Sequence, residues 1–108
     1  MRVAIQGIRG SFHHIVAEQY FGKNIELLEC LSFSEMPDLL HNKTAEVVIM
    51  AIENSIAGAI LPNYALIDEN HLTICGEHHL EIQHNLLGLK GQNIEDIKEV
   101  YSHPMALL

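Results

Sequence analysis

Three short polar clusters hold the residues of this chain that could do chemistry. Glu53-Asn54-Ser55-Ile56-Ala57-Gly58 follows six apolar residues, 47–52. Neutral donors such as Asn54 and Ser55 can hold an anion without a metal. Gly7-Ile8-Arg9-Gly10-Ser11-Phe12 sets two glycines and a helix-capping serine ahead of an apolar run. Glycines let a backbone approach a ligand, and a helix N-terminus offers amide groups to an anion. The third cluster is Ser102-His103-Pro104. Each also has a plainer reading, because the same residue types end strands and cap helices. Composition alone leaves both readings open. The glycine spacing does not match the GxGxxG fingerprint, so a dinucleotide site is not expected.

The eight histidines raise the question of a metal. His13-His14 and His78-His79 are adjacent pairs. Adjacent residues on a strand point to opposite faces, and no HExxH or two-His-plus-carboxylate spacing occurs, so no metal is expected. Cys30 and Cys75 are isolated and read as reduced packing residues. Six basic against 14 acidic residues leave a formal net charge of −8, which argues against nucleic acid as a partner. A small anion remains compatible, because local dipoles can bind one on an acidic protein.

These clusters need elements to position them. The chain is 48% hydrophobic, enough for a buried core. Residues 3–5 read as a strand, and Ser11 caps a helix to about Phe21 with Phe12, Ile15, Val16 and Tyr20 on its apolar side. Residues 25–28 form a second strand. Ser34 caps a second helix with Pro37 in its first turn and Leu39-Leu40 buried. Residues 47–52 form a third strand, covered on both faces, and 61–67 a third helix. This β-α alternation predicts an α/β fold on a parallel sheet. Residues 72–89 read as extended, with Leu80, Ile82, His84 and Leu86 on one side. A short helix at 94–98 and a short strand at 100–101 follow. No apolar run approaches the roughly 20 residues of a membrane helix, and Met1-Arg2-Val3 leads directly into a strand pattern, so the expected location is the cytoplasm. Pro104, Ala106 and Leu107 after Ser102 read as an opening helix turn, which makes the chain the expected front part of a longer domain.

Taken in order, Gly7-x-x-Gly10-Ser11-Phe12, Ile52-Glu53-Asn54-Ser55-Ile56-Ala57-Gly58, Gly76-Glu77 with Leu80-x-Ile82-x-His84-x-Leu86-Leu87, and Ser102-His103-Pro104-x-Ala106-Leu107 resemble the prephenate dehydratase catalytic domain. The resemblance spans essentially the whole chain. It implies two α/β lobes similar to type II periplasmic binding proteins, with the site in the cleft. Residues 1–75 would form the first lobe, and 76–108 a crossover and the start of an incomplete second lobe. It implies conversion of prephenate to phenylpyruvate, without a cofactor, by a homo-oligomer expected to be a dimer. Glu53, Asn54 and Ser55 would be catalytic. Gly10, Ser11, Gly58, Ser102 and His103 would join Asn54 and Ser55 in binding substrate, all three clusters meeting at one end of the sheet.

The family's general acid is the Thr of a Thr-Arg-Phe motif, which this chain lacks, so that acid is expected beyond Leu108 and the chain alone is expected to be inactive. Met105 stands where Gln is usual and Ala51 where Pro is usual. The alternative function is a non-catalytic module of the same fold that binds a small anion or amino acid.

Overall fold

The computed structural model describes residues 1–56 and 58–102. Its strands are β1 (Arg2–Gln6), β2 (Glu26–Cys30), β3 (Val47–Val48), β4 (Glu53–Asn54) and β5 (Gly58–Ala59). Its helices are α1 (Phe12–Phe21), α2 (Met36–His41) and α3 (Leu61–Glu69), with 3₁₀ turns at Phe33–Glu35 and Ile94–Asp96. The result is a mixed α/β fold on a three-stranded parallel sheet of order β2-β1-β3, beside a small antiparallel hairpin, β4-β5.

β1 sits in the middle of the sheet and is covered on both faces. Val3, Ala4 and Ile5 have no exposed surface. Side chains alternate along a strand, so Val3 and Ile5 pack against Ala17 of α1. Ala4 packs on the opposite face with Cys30, Met36 and Ala45, under Leu39 and Leu40 of α2. Burying a side chain such as Val3 or Ile5 is worth about 1.5–3 kcal/mol.

Ser11 caps α1 as expected, its hydroxyl accepting from His14 N at 3.3 Å. The face of α1 turned to the sheet is different from the expected one. His14 and Ala17 are buried, whereas Phe12, Ile15 and Tyr20 are each more than a third exposed. Small Ala17 allows the helix to lie close on β1. His14 is tolerated because both ring nitrogens are used: Gly10 N donates to Nδ1 at 2.7 Å, and Nε2 lies 2.8 Å from Glu18 Oε1. Phe12 and Tyr20 instead meet the extended segment, edge-on against His84 and His78.

Other elements are shorter than the patterning suggests. Ser32 rather than Ser34 caps the second helical region, in a capping box with Glu35 that feeds through a 3₁₀ turn into α2. Pro37 does occupy the first turn of α2. β3 pairs with β1 only at residues 47–48, with one more bond from Ile49 N to Ala4 O at 2.9 Å. Residues 50–52 join no strand of this sheet. The segment 72–89 runs extended but joins no strand. Of its alternating apolar positions only Leu80 is half-buried. The expected helix at 94–98 is a single 3₁₀ turn, and 100–101 forms no strand. The expected helix start beyond Ser102 lies outside the described residues. No helix among the described residues is long and apolar enough to cross a membrane.

His13 is half-buried, edge-on to Phe33 at 5.1 Å, and its Nε2 has no partner among the described residues. Burial lowers its pKa from the usual 6.5. The neutral ring therefore stabilises the fold fully above about pH 6.5, and this contribution is lost as pH falls through the lower folded-state value. His13→Phe is expected to flatten the fall in stability below pH 6.5, read from denaturant midpoints across pH.

Candidate functional site

In a sheet of order β2-β1-β3 the chain leaves the carboxyl end of β1 toward β2 and returns to β3 on the other side. The crevice between the ends of β1 and β3 is therefore the switch point, where open α/β sheets bind ligands. The Gly7–Ser11 turn follows β1. The segment leading to Glu53, Asn54 and Ser55 follows β3.

Hydrogen bonding decides what each of these can offer. Gly7, at φ +98°, turns the chain and donates its N–H to Cys30 O at 2.8 Å. Arg9 N donates to Glu29 Oε2 at 2.8 Å, Gly10 N to His14 Nδ1, and Ser11 N to Ile8 O at 3.0 Å. These amides already serve the fold. The side-chain donors of the turn are the Ser11 hydroxyl, whose oxygen caps α1, and the exposed Arg9 guanidinium.

Glu53 and Asn54 form β4, paired antiparallel with Ala59 and Gly58. Asn54 Oδ1 accepts from Ile56 N at 2.8 Å, which tightens the turn. Any hydrogen bond that Asn54 donates to a ligand therefore comes from Nδ2. Ser55 is exposed at the turn. Gly58 has φ +77°, a left-handed backbone that suits glycine at the return of a short hairpin.

The start of α3 holds this segment at three successive residues. Asn63, 2% exposed, donates from Nδ2 to Ala51 O at 2.7 Å. Ile60 N donates to Ile52 O at 2.8 Å. Tyr64 Oη donates to Glu53 Oε1 at 2.8 Å. The bond to Glu53 raises the Tyr64 pKa, helped by desolvation and by the charge of Glu53, so the phenol stays a donor.

Two hollows flank these elements. One, of about 790 Å³, is mainly apolar and is bordered by Phe12, His13, residues 46–53, and the extended segment. Glu53 reaches it; Asn54 and Ser55 do not line it. The other, of about 560 Å³, is bordered by residues 84–87 and by Ser102. The Phe12–His84 ring contact, with centroids 5.8 Å apart, joins the two walls. Glu53 thus shares the larger hollow with Phe12 and His13, whereas Ser102 borders the other with residues 84–87. His103 lies outside the described residues. Among the described residues, no three His, Cys, Asp or Glu side chains gather as a metal site.

Sequence patterning does not reveal His14, Asn63 or Tyr64 as supports of the site. His14 carried one signal, a cap spacing of three residues after Ser11. Nothing local ties Tyr64 to Glu53, because 11 residues of hairpin and helix separate them.

A family model described as prephenate dehydratase matches residues 3–108. The chain is similar to arogenate dehydratase/prephenate dehydratase 2 of Arabidopsis thaliana, 38% identical over 107 residues, covering 99% of this chain and 28% of that protein. It is similar to the bifunctional chorismate mutase/prephenate dehydratase of Buchnera aphidicola from Schizaphis graminum, 37% identical over 101 residues, covering 91% and 26%. It is likewise 35% identical over 106 residues to the bifunctional chorismate mutase/prephenate dehydratase of Escherichia coli K12, covering 95% and 28%. The chain therefore spans little more than a quarter of the length of these relatives. No solved structure matches it.

Asn63→Ala leaves the half-buried Ala51 carbonyl without its donor. An unsatisfied group of this kind costs about 1–3 kcal/mol. The expected result is a lower denaturant midpoint with an unchanged slope.

Proposed function

The chain belongs to the prephenate dehydratase family, and from that membership we propose that the protein carrying it converts prephenate to phenylpyruvate. The observation that supports the proposal is the Asn54–Ser55 turn, which follows β3 in a hairpin held by the start of α3. It is the kind of neutral donor site that an anionic substrate needs on an acidic protein.

Prephenate carries a ring carboxylate, a side-chain carboxylate and a ring hydroxyl. The ring carboxylate leaves as CO2, and its bonding electron pair moves into the ring. The carbon–oxygen bond opposite breaks, and the departing hydroxide takes a proton and leaves as water. The ring becomes aromatic, which supplies much of the driving force. The protein must orient the substrate, hold its remaining charge and deliver that proton. Asn54 Nδ2 and the hydroxyls of Ser55 and Ser11 are the proposed donors, with Gly10 and Gly58 shaping the two turns. Ser102 and His103 are proposed to approach from the opposite wall. No residue of this chain matches the family's Thr-Arg-Phe motif, so the proton is assigned to a part of the protein outside this chain. Such an acid typically supplies 10²–10⁴-fold in rate.

The same proposal includes a two-lobe fold similar to type II periplasmic binding proteins, with residues 1–75 in the first lobe and 76–108 leading into the second. It also includes a dimer in the cytoplasm that works without a cofactor; the Arabidopsis relative is, by its name, chloroplastic. Because that relative is named for arogenate as well as prephenate, arogenate is the control substrate.

A donor aimed at charge that develops only in the transition state is worth about 10²–10³ in turnover. Asn54→Ala and Ser55→Ala in the natural protein are each expected to lower phenylpyruvate formation by roughly this factor, with the melting temperature nearly unchanged. Near-normal turnover with a large loss of stability would make both residues structural caps. Tight binding of prephenate without any turnover would favour a binding module.

A further inference from the structure

The three bonds from Ile60 and the first turn of α3 fall on consecutive residues, 51, 52 and 53, and only the last involves a charge. Ala51 and Ile52 are held through their carbonyls, which fixes the path of the backbone. Glu53 is held through its side chain, which fixes where a carboxylate goes. Neighbours on a strand face opposite sides. With Glu53 bonded to α3 and bordering the apolar hollow, Asn54 is left to the other face, and it does not line that hollow.

This placement has an electrostatic consequence, given the reading of the site as one that binds a doubly negative substrate, on which this inference rests. The protein carries a net charge of −8, and Glu53 is the residue adjoining the proposed donors. A carboxylate free to swing round the hairpin would oppose the substrate's own carboxylates. We propose that Tyr64 is a positioning residue: its hydroxyl tethers Glu53 on the α3 side of β4 and keeps that negative charge away from the anion held by Asn54 and Ser55. The phenol is suited to the task because it remains protonated beside the carboxylate.

The test uses the natural protein and two substitutions. Tyr64→Phe keeps the ring and removes the tether. It is expected to raise KM for prephenate about fivefold, the effect of roughly one unit-charge repulsion at contact distance in water, with kcat changed less than about twofold. The rise should shrink in high salt, which screens exposed charges. In a Glu53→Gln background no charge is released, so adding Tyr64→Phe should leave the prephenate Kd, read by equilibrium binding, nearly unchanged. An unchanged KM in Tyr64→Phe alone would overturn the proposal. So would an equal weakening of prephenate binding in both backgrounds.

A substrate-free measurement separates this inference from the proposed function. Ionisation of Tyr64, followed by tyrosinate absorbance and identified by its loss in Tyr64→Phe, should move to lower pH in Glu53→Gln. That shift without any turnover of prephenate would uphold the tether and sink the functional reading. Absence of the shift would sink the tether itself.

Discussion

The complete burial of β1 is the constraint on which the rest of the structure depends. A strand with Val3 and Ile5 on one face and Ala4 on the other can be satisfied only if both faces are covered. Covering both faces with α1 and α2 requires the chain to cross the sheet in two directions, and so places β2 and β3 on opposite sides of β1. That arrangement creates the switch point. The crevice is thus a by-product of how a small core is enclosed, and the residues beyond β1 and β3 inherit their place beside it.

Once there, they are governed by backbone hydrogen bonding. The amides of Gly7, Arg9, Gly10 and Ser11 are spent on Cys30, Glu29, His14 and Ile8. A glycine turn before a helix suggests an anion cradle, but here its donors brace the turn itself. The carboxamide oxygen of Asn54 is likewise committed to its own turn. Side-chain donors therefore carry the recognition expected of this end of the sheet. Their placement rests on α3, whose first residues grip the segment just before them.

Charge shapes the same region. With 14 acidic residues against six basic ones, the chain cannot draw an anion by overall attraction. Local donors and the disposition of nearby carboxylates matter more. Glu29 is bonded to the Arg9 amide, Glu18 to His14, and Glu53 to Tyr64. All three acidic groups near the two turns are held by donors of the fold.

Much of this was legible in the residues themselves. The strand at 3–5, the Ser11 cap, the parallel α/β alternation and the order of the polar clusters follow from periodicity, capping chemistry and motif spacing, which are local. The family match over residues 3–108 rests on the same local signals. Other features were decided only by packing at a distance. The buried face of α1 runs through His14 because Gly10 and Glu18 satisfy both ring nitrogens, which hydrophobic patterning cannot register. Beyond β3 the carbonyls of Ala51 and Ile52 bond to Asn63 and Ile60 rather than to β1. Ser102 shares a hollow with residues 84–87, and that segment meets α1 through Phe12 and Tyr20. The hold of Tyr64 on Glu53 joins two residues whose types say nothing of each other, and only the fold of hairpin onto helix brings a phenol within hydrogen-bond reach of that carboxylate.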